Sequence, residues 1–131
     1  MNRRTAALML AFLIVIIGGA LAVGLSGNRS AANGCDPGMA VTTHTVTIRD
    51  RKVSDANVTA QLCDKLTIAN KDDETRLIAF GVHDKHTTYD GVSQRLLGHD
   101  KELTVTLNKT GTYHWHDHEH DEVEGYFTVS K

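Results

Sequence analysis

The sequence of 131 residues predicts an all-β sandwich that follows an N-terminal membrane helix. Residues 6–25 form an unbroken apolar run, which has the length of a helix that spans a bilayer core. From residue 41 onward, short segments rich in β-branched residues alternate apolar and polar positions, with turn residues between them. Short strands at regular spacing over about 90 residues are typical of a small β-sandwich.

The N-terminal segment predicts where the folded part resides. Arg3 and Arg4 precede the apolar run, so the positive-inside rule places the N-terminus in the cytoplasm and the remainder outside. We expect residues 1–25 to be a single-pass membrane anchor, residues 26–40 a linker rich in Gly, Ser and Asn, and residues 41–131 one extracytoplasmic domain. A cleaved signal peptide is the alternative, and it would give a secreted protein.

Cysteine usage and charge narrow the class of protein further. Cys35 and Cys63 are the two cysteines, and an even number outside the cytoplasm predicts a single disulfide. A thiolate metal ligand is the alternative role for one of them. Without Arg3 and Arg4, 12 of the 14 basic residues remain against 16 acidic ones, so the chain offers no basic surface for nucleic acid.

The strands are predicted from alternation and from the turn signals between them. Turn residues at 63–64, 70–74 and 108–111 separate several of the segments. The predicted strands are residues 43–48, 57–62, 65–69, 76–80, 102–107, 111–116 and 125–130. Residues 81–100 are predicted as a long connection, and a long loop in a compact domain is often functional.

Residues 111–125 carry the strongest chemical signal. Four of the eight histidines occupy alternate positions there, at 114, 116, 118 and 120, among acidic residues. Imidazole and carboxylate are the ligands of borderline divalent metals. Residues i and i+2 of a strand lie on one face about 7 Å apart, so two such imidazoles can reach one ion. The segment therefore predicts a metal site, with a solvated His-rich loop as the alternative.

The arrangement of these segments resembles the cupredoxins, the plastocyanin- and azurin-like copper proteins. Residues 46–54, 57–72, 102–113 and 125–129 carry the resemblance, which implies a Greek-key sandwich and a copper site. The family's His, Cys, His and Met ligands correspond to Arg76, Asp117, His120 and Val123, so only His120 has the expected residue type. Without a thiolate, a blue copper site is not expected.

The resemblance also implies which side chains face the core. If Asp117 points inward like the family's Cys, then Tyr113 and Trp115 share its face, and the histidines at 114, 116 and 118 point the other way or into the loop. Asp117 as a carboxylate that orients an imidazole is the alternative to direct ligation. The candidate metal ligands are His83, His86, His116 and His118, with Asp117, His120 or Glu122 as a further donor.

These observations favour a membrane-anchored, extracytoplasmic copper protein for electron transfer or copper handling. Nitrogen and oxygen ligands suit tetragonal Cu(II) or tetrahedral Zn(II), and copper is the expected metal. A redox or copper-delivery protein is the candidate partner. One alternative is a metal-free cupredoxin-like interaction module. Another is a cupin-like oxidase or oxygenase, because His116, His118 and Glu122 have the spacing of the first cupin metal motif.

Overall fold

The computed structural model describes residues 34–36 and 38–131, which form ten strands. The predicted membrane anchor and most of the predicted linker lie outside the described residues, and within them no helix is long and apolar enough to span a membrane. The strands are β1 (Thr43–Arg49), β2 (Lys52–Val53), β3 (Asn57–Gln61), β4 (Lys65–Asn70), β5 (Arg76–Val82), β6 (Lys85–His86), β7 (Gln94–Leu97), β8 (Glu102–Thr106), β9 (Gly111–Asp117) and β10 (His120–Ser130).

The strands form two sheets, which confirms the predicted all-β sandwich. One sheet has the order β2-β1-β4-β8, and the other has the order β3-β10-β9-β5-β6, with β7 paired to β5. The pairs β1–β4 and β3–β10 are parallel, whereas β9 pairs antiparallel with both β10 and β5. The chain passes repeatedly from one sheet to the other, so both sheets enclose a single core.

Burial follows the alternation that the sequence shows. In β3 and β8 every second residue is buried, and the same period continues along β10 from Val123 to Val129. Trp115, Phe80 and Phe127 are the largest apolar side chains of the core. Full burial of a large apolar side chain contributes about 1.5–3 kcal/mol, so this alternation accounts for much of the driving force for folding. The Tyr113 hydroxyl donates to the Thr110 carbonyl at 2.9 Å, in keeping with a structural role.

The prediction of a long loop at residues 81–100 was wrong in part. This segment contains β6 and β7, which are two and four residues long and mostly exposed, and β2 was missed for the same reason. Edge strands this short show no apolar alternation. β10 begins at His120, earlier than the predicted residue 125. The alternation does not show this first stretch, because acidic residues fill it and its register shifts between His120 and Glu124.

The predicted disulfide between Cys35 and Cys63 is confirmed. Cys63 lies in the turn between β3 and β4, and its backbone N–H donates to the Leu107 carbonyl at 2.8 Å. The disulfide therefore ties the segment before β1 to the body of the sandwich.

Gly125 tests the packing of the core around Trp115. A Cβ at Gly125 would lie 2.7 Å from the Trp115 indole nitrogen and 2.8 Å from Cε2, and the indole is fully buried. We expect Gly125→Ala to lower the free energy of unfolding by about 1–3 kcal/mol, the usual cost of overpacking. Gly98→Ala is the control, since its Cβ would meet nothing closer than Lys101 Cγ at 3.9 Å. Equal stability of the two variants in urea unfolding would contradict this packing.

Candidate metal centre

The direction of the β9 side chains divides the histidine-rich segment between two faces of the sheet. Trp115 belongs to the apolar core, and Asp117, which shares its face, is fully buried. His114, His116 and His118 therefore point to the opposite, outer face. On that face, His116 lies opposite Ala79 of β5, and Gly81 of β5 lies opposite His86 of β6. The outward direction expected for His116 and His118 is the one observed.

The β5–β6 hairpin folds two further histidines over the outer face. Its turn contains His83, and its second strand contains His86. Ligand nitrogens of His83, His116 and His118 all lie within 4.8 Å of one another. His86 Nε2 lies 3.1 Å from His118 Nδ1, and the His83 ring stacks on the His118 ring at 4.5 Å. We call His83, His86, His116 and His118 the outer histidine cluster.

His116 is the buried member of the outer histidine cluster, and its two ring nitrogens differ. Nδ1 lies 2.9 Å from the Gly81 carbonyl oxygen, which only accepts, so Nδ1 carries the proton and donates. Nε2 is left with a lone pair, is buried, and has no hydrogen-bond partner among the described residues. Burial lowers the pKa of His116, and the positive charge of neighbouring histidines lowers it further against the opposing effect of the Gly81 carbonyl. The ring is therefore held in the neutral form that binds metals.

Gly81 fixes the orientation of two imidazoles. Its carbonyl oxygen accepts from His114 Nδ1 as well as from His116 Nδ1, each at 2.9 Å. The residue has a φ of +91°, and a Cβ there would lie 2.7 Å from the Lys85 carbonyl oxygen. Only glycine fits this position. His114 Nε2 lies 2.7 Å from Glu124 Oε2, so both of its nitrogens face acceptors, and His114 is not among the histidines whose nitrogens converge.

A carboxylate orients His83 from outside the cluster. His83 Nδ1 lies 2.9 Å from Asp121 Oδ1, which leaves Nε2 as the nitrogen available to an ion. A carboxylate on the far nitrogen is the usual outer partner of a metal-binding imidazole. Sequence reasoning missed both Gly81 and Asp121. A glycine directly after the predicted strand at residues 76–80 was the one signal for Gly81, whereas nothing in the sequence singled out Asp121 among its acidic neighbours.

Asp117 and His120, two of the predicted donors, lie apart from the outer histidine cluster. Both contact Arg76, whose Nη1 is 3.2 Å from Asp117 Oδ2 and 3.1 Å from His120 Nδ1. Arg76 Nη2 donates to Asp72 Oδ2 at 2.7 Å and lies 3.1 Å from Glu74 Oε2. We call these five residues the inner network. Arg76, Asp117 and His120 are the positions at which the family resemblance expects metal ligands.

Hydrogen bonds satisfy the buried charges of the inner network. Burial alone would raise the pKa of Asp72, but N–H groups of Arg51 and Asp50 and the Arg76 guanidinium donate to it and hold the pKa below its usual value. Asp117 Oδ1 accepts from the backbone N–H groups of Leu77 and Glu119. The Asp117 carboxylate therefore joins β5 to the end of β9.

The last predicted donor, Glu122, and the histidines at positions 44 and 99 lie outside the outer histidine cluster. The Glu122 carboxylate is exposed and stands 3.8 Å from the Arg51 guanidinium. His44 pairs with Asp64 at 3.0 Å, and His99 pairs with Asp100 at 3.1 Å on the surface.

The outer histidine cluster fits a transition-metal ion. Its donors are imidazole nitrogens, and one of them, His116 Nε2, is buried and has no hydrogen-bond partner among the described residues. The nitrogens of His83, His116 and His118 converge within 4.8 Å, and His86 adjoins them through the 3.1 Å hydrogen-bond contact of its Nε2 with His118 Nδ1. The described part of the chain contains no other group of His, Cys, Asp or Glu side chains that converges so closely.

Solved structures share the architecture of this chain, although no family model and no curated protein matches it. A mutant of amicyanin in its reduced Cu(I) form has 18% sequence identity and a TM-score of 0.57, covering 71% of this chain and 87% of amicyanin. A purple cupredoxin from Nitrosopumilus maritimus has 16% identity and a TM-score of 0.56, covering 66% of this chain and 98% of that protein. The chain has the cupredoxin fold. It is a divergent example, since its identity to these structures is only 16–18%.

The protonation of His116 gives a prediction about acid stability. The pKa of His116 is lowered from 6.5 in the folded protein, so below that pH the unfolded chain takes up a proton that the folded chain resists. The free energy of unfolding should therefore fall as the pH drops below 6.5. Urea unfolding in chelator-containing buffer should show a smaller fall for His116→Gln. An identical pH dependence in the variant would contradict a buried neutral imidazole.

Proposed function

We propose that this chain is a membrane-anchored, extracytoplasmic copper protein that holds its ion through the outer histidine cluster. The cupredoxin fold supports copper as the metal. The disulfide between Cys35 and Cys63 is consistent with an oxidising compartment outside the cytoplasm, and the apolar run at residues 6–25 is the proposed anchor.

The observation that carries the proposal is the unpartnered Nε2 of His116. A buried acceptor without a hydrogen bond costs about 1–3 kcal/mol, so a protein gains stability by supplying a partner or by replacing the residue. Here the nitrogen belongs to a cluster of imidazoles, and Gly81 directs the ring proton away from that cluster. A bound metal ion gives this lone pair the partner that the described residues do not provide.

The donor set favours copper in its oxidised state. Affinity for nitrogen ligands reaches its maximum among the first-row divalent ions at Cu(II), ahead of Zn(II). Imidazole donors without thiolate or thioether sulfur favour Cu(II) over Cu(I), so we expect a lower reduction potential than in a site with sulfur ligands. Holding and transferring Cu(II) fits this preference directly. Electron transfer requires that the same cluster also accommodate Cu(I).

Two other functions are less well supported. A cupin-like oxygenase needs Glu122 beside His116 and His118, but Glu122 lies near Arg51. A metal-free interaction module would leave a buried nitrogen of His116 without a partner, and nothing in such a function requires three converging imidazoles. Failure of the purified protein to bind Cu(II) more tightly than micromolar would favour the interaction module.

Substitution of His116 tests the copper site. His116→Ala removes the buried nitrogen ligand. Loss of an outer partner of a ligand costs about 10- to 100-fold in metal affinity, so loss of the ligand itself should lower the Cu(II) affinity by about 100-fold or more. Isothermal titration calorimetry measures this loss. EPR of the wild-type copper form should show tetragonal Cu(II), without an intense visible charge-transfer band, since no thiolate is present. His99→Ala is the matched control. Equal affinities in the two variants, or an intense blue colour, would exclude this ligand set.

Substitution of Asp121 tests the orientation of His83. Asp121→Asn keeps the shape of the side chain but removes the charge beside His83 Nδ1, so we expect Cu(II) affinity to fall about 10-fold or more. Thermal stability without metal should change little, because Asp121 is exposed. Glu102→Gln on β8, in the other sheet, is the charge-matched control. Asp121 has no role in the site if the two variants bind Cu(II) equally.

A further inference from the structure

The inner network is a second set of metal-type donors, and a guanidinium occupies it. Arg76 is 1% exposed, and its two terminal nitrogens contact three carboxylates and one imidazole, those of Asp72, Glu74, Asp117 and His120. Asp117 Oδ2 and His120 Nδ1 lie 3.2 Å apart, and Arg76 Nη1 lies 3.2 Å from the first and 3.1 Å from the second. Asp72 and Asp117 are themselves buried, so they need a positive charge between them.

We propose that Arg76 decides where this protein holds its metal. Its guanidinium supplies the positive charge that the inner donors require and occupies the space between them. A metal ion is thereby confined to the outer histidine cluster, and the chain carries one ion. This inference rests on the proposed function in one respect, namely that the outer histidine cluster is the metal site.

The chemistry of arginine makes this exclusion permanent. A lysine or histidine in the same place could lose its proton and leave a neutral side chain for a metal to displace, whereas a guanidinium stays charged in proteins. Burial would lower the pKa of Arg76, but its hydrogen bonds to the carboxylates of Asp72 and Asp117 raise that pKa above its ordinary value. A divalent ion could enter only by displacing a buried cation from at least two buried carboxylates.

Opening the inner network in a protein without the outer site tests the proposal. The parent is the double variant His116→Ala/His118→Ala, which should bind no Cu(II) tightly. Adding Arg76→Met should raise the stoichiometry from zero to one Cu(II) per chain, with EPR coupling to a single imidazole nitrogen. Adding His120→Ala as well should weaken this binding at least tenfold. Arg76→Lys, which keeps a positive charge in the parent, is the matched control and should bind more weakly than Arg76→Met.

The outcomes that overturn the proposal are distinct from those that overturn the copper function. A folded Arg76→Met variant that binds no more Cu(II) than its parent would overturn it. Where that variant does not fold alone, near-UV circular dichroism after refolding with and without Cu(II) decides the question. Recovery of the signal with Cu(II) supports the proposal, and no recovery in either condition overturns it. Wild-type protein that binds no Cu(II) would instead remove the outer site and leave this test intact.

Discussion

Side chains along β9 alternate between the two faces of its sheet, and both candidate functional regions depend on that period of two. Asp117 enters the end of the sandwich, where it meets Arg76 and the backbone of β5. Its neighbours His116 and His118 project from the opposite face. A shift of one residue in the pairing of β9 with β5 would exchange these positions and place a carboxylate outside and imidazoles in the core. Register therefore decides whether the outer histidine cluster exists.

The inner network fixes this register at the point where it matters. The Asp117 carboxylate accepts hydrogen bonds from the backbone N–H groups of Leu77, on β5, and of Glu119, in the turn after β9. The backbone N–H of His118 donates to the Leu77 carbonyl at 2.8 Å. Breaking a buried ion pair by removing one partner costs about 3–5 kcal/mol, so Arg76 and Asp117 depend on each other. The Arg76 guanidinium thus supplies the positive charge that the buried carboxylates of Asp72 and Asp117 face at the end of this sandwich.

Much of the fold and part of the site could be predicted from sequence. Alternation predicted the longer strands, and the cysteine count predicted the disulfide. The direction of His116 and His118 followed from the side assigned to Asp117. The edge strand β6 was missed because two exposed residues carry no pattern, although its pairing with β5 is what brings His86 over the sheet.

Other features of the site depend on contacts between residues far apart in the chain. Gly81 acts through its carbonyl oxygen, which has no side-chain signature. Asp121 differs from other exposed acidic residues only in the imidazole that it meets. Arg76 contacts Asp72 and Asp117 together, and the second of these lies 41 positions away in the chain.

Long-range 1H–15N NMR spectra of the histidine rings during titration with Zn(II), a diamagnetic probe of the site, test the central claim most directly. The spectra distinguish the two nitrogens of each ring and show which of them binds an ion. Metal-induced chemical-shift changes should be confined to the rings of His83, His86, His116 and His118, with His116 bound through Nε2. Shifts of His120 or His99 that precede those of His116 would contradict the account, as would no change in any ring.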